Sequence, residues 1–230
     1  ANIFRYYIMV RSVFDITIDF KLSQGSYLFD KRSNKYFLDM FSMFSSLPLG
    51  YNHEIFDEEF DERIKYISHL KMCNNLFLSD EFESFETALS EIAVHQNFHF
   101  SSTGALAVES AIKCGYEYKK NPDAIVVGTT NSFHGIYSWG FVTDRGIPSV
   151  KNRVINYPKN SWKNIELEEL PEFLIQNSGT VSSCIIEPIQ CTSGDLYLDL
   201  NQLKKVQDIC KKNNICFIID EVQTGLGVTG

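Results

Sequence analysis

No Gly-Lys pair occurs anywhere in the 230 residues, which removes the G-x-x-x-x-G-K-[ST] loop that a magnesium–nucleotide enzyme of the phosphate-loop type needs. Cysteine occurs six times, at 73, 114, 184, 191, 210 and 216, and never as C-x-x-C. That spacing offers no zinc framework, and several of these residues sit in apolar stretches, as reduced core cysteines do. Basic side chains are outnumbered, 21 against 29 acids for a net charge of −8, which argues against nucleic acid or an anionic membrane as partner. No apolar run approaches the ~20 residues of a membrane-spanning helix. The first residues show no basic, then apolar, then small-residue leader pattern. Repeats and low-complexity segments are absent as well. Together these absences lead to the expectation of a cytoplasmic chain in a reducing compartment, with no nucleic-acid and no membrane partner. The 44% hydrophobic and 22% charged residues are an ordinary globular mixture, and the length suffices for a sizeable core.

What is present is organised around one stretch near the end. Ile215-Cys216-Phe217-Ile218-Ile219 is apolar on both faces and stops at Asp220-Glu221 before Val222-Gln223-Thr224-Gly225. The run predicts a central strand of a parallel sheet, and ligands of such sheets sit beyond the carboxyl ends of the strands. A carboxylate there is costly to bury unless a cation or strong donors meet it. Three partners fit a strand ending in Asp-Glu. A magnesium–nucleotide pair fails for want of the lysine loop. Gly225-Leu226-Gly227-Val228-Thr229-Gly230 spells a dinucleotide fingerprint, but acids intervene between strand and glycine, where a pyrophosphate would be repelled. The third partner is the protonated ring nitrogen of a pyridine cofactor, which a buried carboxylate would keep cationic.

Upstream, Ser26–Asp30 and Tyr36–Met40 flank a polar turn and predict a hairpin. Apolar residues at 56, 60, 64 and 67 predict a helix over 54–70. Ser79-Asp80 caps a second helix with Phe82, Phe85, Leu89 and Ile92 on one face. A third is expected over about 106–118, opening after Ser102-Thr103-Gly104-Ala105. Strands are predicted at 124–128 and 184–186, and a helix at 199–212 capped by Asp199. His95 and His99 have helical metal-ligand spacing, but no acid or cysteine is paired with them, so no metal site is expected. Strands alternating with helices at this spacing imply a parallel sheet covered by helices. The expected division is an N-terminal segment with a hairpin over 1–50, then an α/β domain over 51–230.

Free N–H groups, small side chains and two hydroxyls at the opening of the third helix make a cup for a phosphate, or no more than an N-cap with a glycine. Asn131-Ser132-Phe133-His134-Gly135 brings an aromatic to the same edge, and Glu187 and Asp220 end two further strands. SSTGALAVESAIK, NSFHG, CIIEPIQ and FIIDEVQTGLGVTG resemble, in order and spacing, the class III aminotransferases that use pyridoxal 5′-phosphate. GSYLFDKRSNKYFLDMFSMFSSLPLGYNH and GALAVE look most like the L-lysine 6-aminotransferase branch. The resemblance spans about Phe4 to Gly230 and implies fold type I, with this chain as the N-terminal part of the large cofactor-binding domain. The C-terminal part, the small domain and the Schiff-base lysine are then expected downstream of Gly230, so that this stretch alone would be inactive.

The resemblance also assigns roles. Thr103, Gly104 and Ala105 would hold the cofactor phosphate, Phe133 would stack on the ring with His134 beside it, and Val222 would press on the opposite face. Asp220 would pair with the ring nitrogen, Gln223 would lie near the ring hydroxyl, and Glu187 would face the substrate with Gln223. The implied reaction moves an ω-amino group of a lysine-like donor to a 2-oxo acid such as 2-oxoglutarate, in a homodimer. Three departures bear on the donor. Ile136 stands where the family carries an Arg that the lysine branch uses for the substrate α-carboxylate, and an apolar side chain makes no bidentate contact. Cys191-Thr192 replaces Gly-Glu, and the text between Phe141 and Val154 drifts from the branch pattern. Other class III activities therefore remain open: glutamate-1-semialdehyde aminomutase, acetylornithine or 4-aminobutyrate aminotransferase, or a truncated non-catalytic relative.

Overall fold

The computed structural model describes residues 15–69, 77–135 and 161–229, and its contacts fall into two units, Ala1–Phe77 and Leu78–Gly230. In the first unit β1 (Tyr27–Asp30) and β2 (Lys35–Leu38) form the expected antiparallel hairpin, with Tyr27 opposite Leu38 and Asp30 opposite Lys35. Buried Asp30 organises it. Its carboxylate accepts hydrogen bonds from Ser33 Oγ and from the amides of Thr17, Arg32 and Ser33. These donors, the Ser33 hydroxyl foremost, hold the carboxyl well below the usual carboxylate range.

The expected boundary at residue 50 moves to 77/78, because Tyr51 belongs to the hairpin. Its backbone exchanges both hydrogen bonds with Gly25, each 2.8 Å, and its hydroxyl donates to Asp39 at 2.8 Å. Gly50 is required beside it. Its φ is +72°, and a Cβ there would stand 2.4 Å from the Gly25 carbonyl oxygen. Helix α1 (Glu58–Ile67) follows, with Asp57 accepting from Phe60 N and Glu58, Glu59 and Asp61 in the first turn, where the helix dipole favours anions.

The second unit is layered. Helices α2 (Asp80–Ile92) and α3 (Gly104–Lys119) lead into strand β3 (Ile125–Thr129). Strand β4 (Trp162–Ile165), helix α4 (Leu170–Gln176) and strand β5 (Val181–Ile186) come next. The short pair β6 (Ile189–Gln190) and β7 (Leu196–Tyr197) precedes helix α5 (Leu200–Lys212) and strand β8 (Cys216–Ile219). Four of these strands make one sheet in the order β4-β3-β5-β8, and every pairing is parallel.

Alternating side chains feed two cores, as the strand period of two requires. Val126 and Ile185 pack with Val108 and Ile112 of α3 on one face. Val127, Cys184 and Ile186 pack on the other against Leu170 and Leu174 of α4 and Leu203, Val206 and Cys210 of α5. Helix α3 lies close to the sheet at Gly115, where a Cβ would meet Ser183 Oγ at 1.8 Å. The apolar face expected on α2 is only partly covered: Phe82 and Phe85 set their rings 5.4 Å from Phe100, and Ile92 is exposed.

Among the described residues β8, expected to be central, pairs with β5 alone; its own residues are half-buried or, at Ile219, exposed, while all six residues of β5 are buried. Because the strands are parallel, the segments after β3, β5 and β8 leave from one edge. Asp220 N bonds to Ile186 O at 2.8 Å and so holds Asp220 level with the end of β5.

Candidate active site

The opening of α3 is set by local chemistry. Thr103 has extended backbone and its hydroxyl accepts from Leu106 N at 3.2 Å, while the first helical bond runs from Ala107 N to Thr103 O. The Gly104 and Ala105 amides stand ahead of that bond, where helix N–H groups have no acceptor of their own. Glycine at 104 answers to space, since a Cβ would stand 2.9 Å from both methyl carbons of Val222. The loop after β3 packs on the same turn: Gly135, at φ +102°, would place a Cβ 2.8 Å from that of Ala105.

Three strand ends and this helix opening surround a cavity of about 170 Å³. Gly104 and Ala105 line it from α3, Phe133 and His134 from the loop after β3, and Glu187 from the end of β5. Asp220, Val222 and Gln223 line it from the segment after β8. Of the residues singled out in the sequence only Thr103 does not line it, because its hydroxyl is used as the helix cap. Ile136 and the drifting stretch 141–154 lie outside the described residues.

The electrostatics centre on a buried pair. His134 Nδ1 lies 2.6 Å from Asp220 Oδ2, with side chains 0% and 6% exposed, and Asp220 Oδ1 accepts from Val222 N at 3.1 Å. His134 is thus one answer to what meets the strand-end carboxylate, and its proximity to Asp220, 86 residues away, is invisible in the sequence. Among the described residues, His134 Nε2 is buried with no hydrogen-bond partner, as is Thr224 Oγ1. Glu187 is buried too, and its Oε1 accepts from Phe133 N at 2.8 Å. Burial pushes its carboxyl up to about 7, the Asp220 charge adding to that and the Phe133 amide and His134 opposing it.

Sequence reasoning missed the residues that hold the aromatic loop. Gln190 Nε2 donates to Thr129 Oγ1 at 3.0 Å and to Thr130 O at 2.7 Å, and Ser193 Oγ donates to Asn131 O at 2.6 Å. Their only signal in the text is position shortly after Glu187.

These residues suit pyridoxal phosphate. The first two residues of a helix, whose amides precede the first helical bond, line the cavity together with a buried carboxylate, an aromatic and a valine.

A family model for aminotransferase class-III matches residues 8–230, and the chain belongs to that family. Class III aminotransferases use pyridoxal 5′-phosphate and have fold type I. An L-lysine-epsilon aminotransferase of Amycolatopsis lactamdurans is 26% identical over 94% of this chain and 56% of its own length. An ornithine aminotransferase of Plasmodium yoelii yoelii is 32% identical over 94% of this chain and 52% of its own. The chain thus spans about half the length of the curated relatives it matches. The solved lysine aminotransferase of M. tuberculosis superposes with a TM-score of 0.82 at 23% identity, over 98% of this chain and 59% of that one, which establishes the fold.

Proposed function

We propose that the complete protein is an aminotransferase that moves an ω-amino group from a lysine- or ornithine-like donor to a 2-oxo acid such as 2-oxoglutarate. The observation that carries this reading is the convergence of the buried Asp220–His134 pair and the Gly104–Ala105 helix opening on one cavity. Pyridoxal phosphate, when bound, supplies an electron sink for the charge left by removing a substrate proton.

The chain's own residues prepare that chemistry. Gly104 and Ala105 would hold the phosphate by their amides, and Phe133 and Val222 would flank the ring. Asp220 would hold the proton on the ring nitrogen, its two oxygens fixed by His134 Nδ1 and Val222 N. Gln223 would meet the ring hydroxyl. Glu187, poised between charged and neutral forms near pH 7, faces the amino donor. The lysine- and ornithine-specific relatives support a basic amino acid as donor. The family resemblance supports a cytoplasmic homodimer, an N-terminal part of the large domain in this stretch, and a lysine beyond Gly230 as the covalent anchor.

Replacing Asp220 by Asn in the full-length protein tests the reading. Two unit charges ~4 Å apart at an effective dielectric of ~20 attract by about 4 kcal/mol, so turnover should fall roughly a thousandfold while cofactor is retained. Near-normal turnover with cofactor bound would show that Asp220 does not hold the ring proton. A panel of lysine, ornithine, acetylornithine and 4-aminobutyrate against 2-oxoglutarate fixes the donor, and turnover of glutamate-1-semialdehyde without a 2-oxo acid would replace the reading by an aminomutase.

A further inference from the structure

We propose that Gln190 is a positioning residue for the cofactor, acting through the loop that carries Phe133 and His134; this rests on the reading that the cavity takes pyridoxal phosphate. Gln190 is 3% exposed and Thr129, which it touches, 1%. Its Nε2 has two N–H groups, and both are used where the chain leaves β3: one on Thr129 Oγ1, one on Thr130 O. Thr130 is also fixed from the opposite side, by Ile165 O on its amide and Glu166 on its hydroxyl.

The next residue, Asn131, turns the chain with φ +62°, and Ser193 Oγ holds its carbonyl. Two residues on, Phe133 N is held by Glu187. The segment 187–193 therefore grips residues 129, 130, 131 and 133 from one side. Its middle contact, Gln190, holds a backbone carbonyl for which an apolar side chain offers no donor. Gln190 does not line the cavity. It sets the starting direction of the loop from which Phe133 and His134 reach it, and supporting residues of this kind fix the geometry of a site.

The test uses the full-length protein stripped of cofactor and titrated with pyridoxal 5′-phosphate. The dissociation constant and the induced visible circular dichroism per bound cofactor at saturation are read for the wild type, Gln190→Leu and Ser193→Ala. Melting of each cofactor-free protein is recorded alongside. Gln190→Leu should raise the dissociation constant roughly tenfold and reduce the induced dichroism, which reports the setting of the ring and is not moved by a loss of stability alone. Ser193→Ala should shift both in the same direction by less, and it carries the test if Gln190→Leu does not fold. Wild-type affinity and dichroism in the variants would overturn the proposal. So would a fall in melting temperature with unchanged dichroism at saturation, which is a structural role only. A wild-type protein that binds no pyridoxal phosphate overturns the reading of the cavity and this proposal with it, whereas a wild type that binds beside unaffected variants overturns this proposal alone.

Discussion

Replacing Glu187 by Gln changes one charge and almost no shape. The amide oxygen can still accept from Phe133 N, the bond the carboxylate makes at 2.8 Å, so the loop keeps its anchor. What disappears is a carboxyl whose ionisation the fold opposes, pushed from an ordinary 4.5 up to about 7 chiefly by burial. Between those two values the native state binds a proton that the unfolded chain has already lost, so stability falls as pH rises. The contribution is fully present below pH 4.5, is lost as pH rises through 7, and is flat above 8. At 1.36 kcal/mol per unit, wild type should lose about 1 kcal/mol relative to its own acid limit by pH 5, and about 3 kcal/mol by pH 7.

Glu187→Gln lacks that slope. Denaturant midpoints of the cofactor-free, full-length wild type and variant, measured at half-unit steps from pH 4.5 to 8.5, report the group together with its coupling to Asp220 and His134, because more distant titrations are common to both proteins. The variant should gain on wild type steadily up to about pH 7 and then hold its lead. Parallel curves across the whole range would refute the reasoning, since they would mean that Glu187 ionises as freely in the fold as in the unfolded chain. A lead that instead grows toward low pH would mean that the Phe133 amide and His134 outweigh burial.

His134→Leu removes the partner of a carboxylate that is 6% exposed and leaves it one backbone donor, so unfolding stability at neutral pH should drop by about 3 kcal/mol; an unchanged denaturant midpoint would show that Asp220 is satisfied without the imidazole. Gly104→Ala puts a methyl 2.9 Å from both Val222 methyl carbons and should cost ~1–3 kcal/mol, with Val222 displaced into the cavity. Melting and a weakened pyridoxal phosphate titration check it.

The fold was legible wherever a local pattern fixes it. The hairpin, the Ser79 and Asp199 caps and the strands at 125–129 and 216–219 appear within about two residues of their expected places, whereas the strand expected at 184–186 begins at Val181 and the third helix opens at Gly104; caps and strand periods are properties of a few neighbouring residues. Sheet order was not legible: the order β4-β3-β5-β8 rests on pairings between segments far apart in the chain, which no run of neighbouring residues encodes. The boundary at residue 50 failed for a similar reason, since the Gly25–Tyr51 bridge joins glycine to tyrosine through backbone groups that carry no side-chain signal. In the site, the residue types and their order along the chain were readable, and eight of the nine residues named line one cavity. The contacts among them were not. Gln190 and Ser193 act on carbonyls ~60 residues away, and nothing in an amide or hydroxyl side chain states which carbonyl it will meet.

The same limit explains the most consequential difference within the site. Glu187 and Asp220 look alike in the sequence, each an acid closing an apolar strand, yet the fold gives them opposite surroundings. Asp220 receives an imidazole at 2.6 Å and a backbone amide on its other oxygen. Glu187 receives one amide, and the neighbouring Asp220 charge pushes its carboxyl further up. Two negative charges at one sheet edge would repel, and that repulsion adds to the burial that raises Glu187. The Phe133 amide and His134 oppose that rise, and they are adjacent residues of one loop, so whatever sets that loop, the 187–193 segment included, also sets how firmly Glu187 holds its proton.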